Sequence, residues 1–191
     1  MAKIEQSKKR VLYKSILTLA CFGGLRGAEY LATNFAAGPL VNQITFQSTK
    51  KGTIMYYKVL CSKTKKHGFK MPYMCSGNPI CAICCMEAHL LNRLNTGERI
   101  ENSPLFKIDG KQVTKQAMNA IIKTLLKSIG ANPEMFSLHS IRHGATTTAA
   151  QKRFADWELK LVGGWSTNTY WTYINSTNSQ HRARFSKRLA Q

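Results

Sequence analysis

The run His139-Ser140-Ile141-Arg142-His143-Gly144 puts two imidazoles and a guanidinium close together, with Arg26 and Glu29 far upstream and Trp165 and Tyr173 downstream. These residue types match one kind of reaction. A guanidinium donates paired hydrogen bonds to phosphate oxygens, a ring nitrogen donates or moves a proton, and a phenol can attack phosphorus. The set suits phosphodiester exchange through a tyrosine.

Spacing sharpens that reading. His139 and Arg142, at i and i+3, share one face of a helix, so both can approach one phosphate. The fork of Arg142 would neutralise charge developing on nonbridging oxygens in a pentavalent transition state, while the histidine donates or moves a proton. Small residues follow from Gly144 to Ala150, suited to a tightly buried helix behind a polar first turn. Arg26 sits at the break Gly23-Gly24-Leu25-Arg26, where it can be presented at a surface while Glu29 holds it in place. Trp165 offers an indole N–H that donates and cannot act as a base.

The elements that must position these groups read as helix, small sheet, then helices. Leu12, Ile16, Leu19 and Ala20 fall at helical spacing over Val11 to Leu25, where Gly23-Gly24 ends the run, and a second helix is expected from Glu29 to Phe35. Beyond the Gly38-Pro39 breaker, Ile44 to Phe46, Thr53 to Cys61 and Phe69 to Met74 are rich in β-branched and aromatic residues and predict three antiparallel strands. Helical segments are predicted at Cys81 to Leu94, Thr114 to Ile129, Ser137 to Arg153, Trp157 to Leu161 and Asn168 to Ile174, with an amphipathic piece from His181 to Leu189. The fold class is α+β, mostly helical, with a small three-stranded antiparallel sheet.

Composition narrows the partners. The 191 residues suit one domain, and 28 Lys and Arg against 9 Asp and Glu leave a net charge of +19. That excess points to a polyanion. The cationic Met1 to Arg10 segment and the apolar stretch after it, broken by Lys14 and Ser15, read as neither signal peptide nor membrane span. With no secretory signal, the 6 cysteines read as reduced thiols or metal ligands in an intracellular protein rather than as a disulfide framework.

From about Val11 to its C-terminus the chain resembles the tyrosine recombinase (integrase) family, on the order Arg26, His139-x-x-Arg142, Trp165, Tyr173. The ending Tyr173-Ile174, then Arg184-Phe185-Ser186-Lys187-Arg188-Leu189, is most similar to the crypton and DIRS-like recombinases of eukaryotic mobile elements; an origin in such an element would imply a nucleus, and the compartment is otherwise open. The resemblance implies a recombinase catalytic-domain fold over residues 1–191, without the helical clamp domain that usually precedes it. It implies that Arg26, Arg142, His139 and Trp165 hold the scissile phosphate, with Glu29 and His143 in support. Tyr173 would be the nucleophile, its spacing from Trp165 being closer to the family's than that of the alternative, Tyr170. Lys63, in the Ser62-Lys63-Thr64 turn between the second and third strands, would protonate the departing 5′ oxygen; Lys65 or Lys66 could also serve. A 3′-phosphotyrosyl intermediate follows, with double-stranded DNA as partner, homo-oligomer assembly on it, and no cofactor, metal or membrane.

Three rival readings remain open at this point. A recombinase-derived DNA-binding protein that no longer cuts would keep the charge and the fold. A type IB topoisomerase shares the chemistry but lacks this motif order. The third is a zinc-dependent module on Cys75, Cys81, Cys84 and His89, since Cys-x-x-Cys with nearby ligands can build a tetrahedral site. Against it, a second well-spaced pair is missing and a free cysteine is commonly just a small buried apolar residue.

Overall fold

The computed structural model describes residues 2–60, 62, 67–165 and 168–170. Helix α1 (Ala2–Phe22) is followed by the single turn α2 (Gly27–Tyr30), then strands β1 (Ile44–Thr49), β2 (Gly52–Val59) and β3 (Phe69–Met74). Helix α3 (Ala82–Leu94), the small hairpin β4 (Lys107–Ile108) and β5 (Lys111–Gln112), and helices α4 (Lys115–Ser128), α5 (Leu138–Gln151) and α6 (Asp156–Gly163) complete the order, with a 3₁₀ turn at Asn168–Tyr170.

Helix α1 is the spine. Its stripe of Leu12, Ile16, Leu19 and Ala20 packs on α3 and shares one buried core with Ile83 and Met86 of that helix and with Met55, Tyr57 and Val59 of β2. Full burial of a side chain such as Ile16 contributes roughly 1.5–3 kcal/mol. The helix starts well before the apolar periodicity does. Glu5, Gln6, Lys8, Lys9 and Arg10 carry no core stripe but are good helix formers, and Lys9 pairs with Glu5 at 3.0 Å.

The sheet is antiparallel in the order β1-β2-β3. Pairing of Met55 with Tyr73, Tyr57 with Met71 and Val59 with Phe69 sets one face toward the helices, because alternate side chains share a face. Pro72 lacks an N–H to donate but sits on the edge strand β3, where that does little harm.

Caps set the later helices. Thr114 accepts from Ala117 N at 3.1 Å to start α4, and Ser137 accepts from His139 N at 3.2 Å to start α5. Two expectations need correction. The helix expected from Glu29 to Phe35 is a single turn, because Leu31 turns extended and Ala32 pairs with Thr114 instead of continuing the spiral. The β4–β5 hairpin was not expected. Its strands are too short for a periodic signal, and its turn rests on Asp109 and Gly110, both at positive φ. Of the predicted Asn168 to Ile174 helix only the 3₁₀ turn lies within the described residues, and the piece from His181 to Leu189 lies outside them.

Candidate active site

The break after α1 is built to present Arg26. Gly24 has φ of 55°, and a Cβ on Gly23 would lie 2.2 Å from the Tyr73 hydroxyl, so both positions favour glycine. Tyr73 in turn donates to Leu19 O at 2.9 Å, tying β3 to the end of α1. Directly after the break, Glu29 accepts from the Arg26 backbone N–H at 2.7 Å and from Arg26 Nη1 at 3.2 Å. The Glu29 side chain is 3% exposed and that of Arg26 is 27% exposed. The acid is thus a buried anchor and the guanidinium a partly open head, as the spacing predicted. Tyr57 fixes the turn from below by donating to Glu29 O at 2.5 Å.

Arg142 enters the same place from α5. Its Nη1 donates to Gly24 O at 2.5 Å and its Nη2 to Gly163 O, so one guanidinium joins the α1 break to the end of α6. The Arg142 ζ carbon lies 4.2 Å from the centre of the Trp165 ring, a cation–π stack. Trp165 reaches this position because Gly163 has no side chain: a Cβ there would fall 1.5 Å from the indole. Gly164, at φ of 59°, then caps α6 in the left-handed conformation and turns the chain toward Trp165. The Leu161-Val162-Gly163-Gly164-Trp165 patch is therefore a device for covering Arg142.

A narrow pocket gathers these groups. It is lined by Gly23, Gly24, Arg26, Glu29 and Arg142, by Gly163 and Gly164, and by Ser62, Phe69 and Met71 from the β2–β3 side. His139 is exposed on the first turn of α5, and His143 is half-buried one turn on. The His139 imidazole is held below its ordinary range of 6.5, first by burial and then by the positive fields of Arg142, His143 and Arg26. The site is a cationic cluster with a single buried carboxylate, suited to an anion with oxygens pointing several ways.

The remaining expected residues divide. Lys63 and Tyr173, with Lys65 and Lys66, lie outside the described residues, although Ser62 beside Lys63 lines the pocket. Tyr170 is fully buried in a second small core with Ala149, Leu159 and Trp165, its ring centre 6.3 Å from that of the tryptophan. Of the proposed zinc ligands, Cys75, Cys81 and Cys84 come together. His89 faces the other way, its Nε2 2.9 Å from Leu105 O.

Sequence reasoning missed the carbonyl contacts of Arg142. It also missed the Arg93 network, in which Arg93 bonds Pro104 O at 2.7 Å and Leu105 O at 3.0 Å and pairs with Glu98. Arg93 and Lys107 hold the Glu98 carboxyl down at about 2. The only available signal for that network was an arginine late in α3 with an acid just beyond it.

No protein-family model matches the sequence, and no curated protein matches it. Among solved structures, the chain is similar to the XerH site-specific recombinase in a post-cleavage complex with palindromic difH substrate. That match has a TM-score of 0.67 at 15% identity and covers 96% of this chain and 47% of XerH. It is also similar to the Tn1549 transposon integrase in complex with transposon right-end DNA (TM-score 0.56, 19% identity, 93% of this chain and 58% of that one). A third match is the FLP recombinase–Holliday junction complex (TM-score 0.57, 16% identity, 84% and 39%). The chain thus spans about half the length of these proteins and has the tyrosine recombinase catalytic-domain fold.

Proposed function

We propose that a chain with this fold and this arginine pair is the catalytic part of a site-specific DNA recombinase. The observation that carries the reading is the convergence of Arg26 and Arg142 on one pocket beside His139, in a chain of net charge +19. DNA appears in the complexes of the structural neighbours, which supports the same partner here.

In the proposed reaction Arg26 and Arg142 hold the nonbridging oxygens of the scissile phosphate. His139 donates to the same phosphate, with His143 one turn on in support. The Tyr173 phenolate forms a bond to phosphorus as the bond to the 5′ oxygen breaks, and Lys63 gives that oxygen its proton. A 3′-phosphotyrosyl enzyme results. A 5′ hydroxyl from another strand then attacks phosphorus, gives its proton back to Lys63 and releases Tyr173 as the phenolate, so phosphodiester bonds are exchanged without net consumption. Trp165 serves here by stacking on Arg142 and fixing its plane. Complete burial of Tyr170 against Trp165 favours Tyr173 over Tyr170 as the nucleophile.

The finer assignment, to the crypton or DIRS-like recombinases of mobile elements, rests on the run from Arg184 to Leu189, and assembly of several copies on DNA belongs to the same proposal. Among the described residues no helix is long and apolar enough to cross a membrane. A second reading, a DNA-binding relative that no longer cuts, is separated by one experiment. The protein is incubated with nicked duplexes of randomised sequence, and covalent adducts are resolved on a denaturing gel beside Arg26→Ala and Arg142→Ala. Adduct formed by the unmodified chain and lost in both variants supports the recombinase. Salt-sensitive binding with no adduct from any of them supports the second reading.

A further inference from the structure

The end of β3 and the start of α3 bring three thiols together, none of which lines the arginine pocket. Cys75 Sγ lies 3.7 Å from Cys84 Sγ and 3.7 Å from Cys81 Sγ, and all three sulfurs fall within 4.8 Å of one another. A disulfide would need about 2.05 Å. A tetrahedral zinc with Zn–S bonds of about 2.3 Å has an S···S edge of about 3.8 Å. The observed spacing fits a shared cation, not a bond.

The local backbone is shaped around these sulfurs. Gly77, at φ of 66°, turns the chain between Cys75 and Cys81. Asn78 then closes the loop, accepting from Ile80 N at 3.0 Å on its side chain and from Cys81 N at 3.0 Å on its carbonyl. Ser76 N directs its hydrogen to Cys81 Sγ at 3.5 Å, so a backbone donor faces the buried member of the triad. Cys81 is also the residue that caps α3, where the helix dipole favours a thiolate. From α1, Lys14 Nζ donates to Pro79 O at 2.8 Å and holds the whole loop in place. Cys85, one residue beyond Cys84, is buried and takes no part in the cluster.

We infer that Cys75, Cys81 and Cys84 form a binding site for one thiophilic divalent cation, zinc by its chemistry, that staples β3 to α3. Cys81 is the buried ligand and Cys75 and Cys84 the exposed ones. Among the described residues no further histidine, cysteine or carboxylate joins the three, and a tetrahedral ion takes one donor more. Because Phe69 and Met71 of β3 line the arginine pocket, the staple steadies one wall of the site without touching the reacting groups.

The test does not depend on the recombinase reading, since it measures metal rather than DNA. Fully reduced protein is loaded with zinc under anaerobic conditions, desalted and assayed for metal, and Co²⁺ is titrated while its thiolate charge-transfer absorption is followed. The expected result is one equivalent of zinc per chain, a saturating cobalt–thiolate band, and a melting temperature that rises with zinc. Cys84→Ser and Cys75→Ser, both exposed positions, should lose the stoichiometric zinc and the melting shift, whereas Cys85→Ser and Cys21→Ser should keep them. Circular dichroism of each variant checks folding, and the metal content of the unaltered chain stands even if one variant fails to fold. No retained zinc and no cobalt–thiolate band from the reduced, folded protein would overturn the inference, as would equal loss in Cys85→Ser.

Discussion

Arg142 is clasped between the carbonyls of Gly24 and Gly163 with the Trp165 ring stacked on its guanidinium, and it is 2% exposed. The stack ties a charged group on α5 to the chain leaving α6, so what holds Trp165 also holds Arg142.

Replacing Trp165 by alanine should therefore act twice. It empties the small core of Ala149, Leu159 and Tyr170 and uncovers Arg142. Loss of an aromatic from such a core costs roughly 3–5 kcal/mol, so chemical denaturation should reveal a large fall in stability, with Trp165→Phe closer to the parent. A Trp165→Ala protein as stable as the parent would mean that this cluster does not pack as described.

Gly163→Ala isolates the positioning effect. The added methyl would sit 1.5 Å from the indole, so the ring must move. Overpacking of this kind costs roughly 1–3 kcal/mol, and covalent adduct formation should drop by more than that loss of stability explains. Fluorescence of Trp165 in a variant lacking the other tryptophans reports the displacement directly; an unchanged spectrum would contradict the close approach.

Glu29→Gln tests the anchor of Arg26. The amide retains one acceptor for the Arg26 backbone N–H but loses the charge facing Nη1. Adduct formation should fall while DNA binding measured by filter retention stays near the parent level. Glu29→Ala should also lose stability, by about 1–3 kcal/mol for the buried donor left behind.

Acid should destabilise the fold in a defined order. His139 is depressed by partial burial and then by the neighbouring guanidiniums of Arg142 and Arg26, and His89 mainly by burial. Unfolded, both titrate near 6.5, so as pH falls below that value the unfolded chain takes protons first and stability drops, levelling off beneath the folded values. Glu98, held at about 2 against an ordinary 4.5, adds a second loss as pH falls from 4.5 through 2. Histidine NMR titration checks the first step. Adding a phosphodiester oligonucleotide should move the His139 titration upward and leave that of His89 in place.

Much of this architecture was legible because periodicity and caps are local signals. The three strands, the helices beginning at Thr114 and Ser137, and the shared face of His139 and Arg142 all follow from residues a turn or a pleat apart. The Gly23-Gly24 break was also legible, although its reason, the approach of Tyr73 from a distant strand, was not. What escaped depends on contacts between remote segments: the Gly24 and Gly163 carbonyls at Arg142 and the shortening of α2 by pairing of Ala32 with Thr114. His89 looked like a metal ligand by spacing, yet its turn of α3 faces the loop at Leu105. Tyr173 and Lys63 lie outside the described residues, so their roles rest on the proposed chemistry.

The most direct test of that chemistry is to find where DNA becomes attached. After reaction with a nicked duplex, the adduct is digested with protease and nuclease and the peptide bearing the nucleotide is sequenced by mass spectrometry. The account predicts a nucleotide on Tyr173 through a 3′ phosphate, lost in Tyr173→Phe and retained in Tyr170→Phe. A nucleotide on Tyr170, or on a residue other than tyrosine, would contradict it.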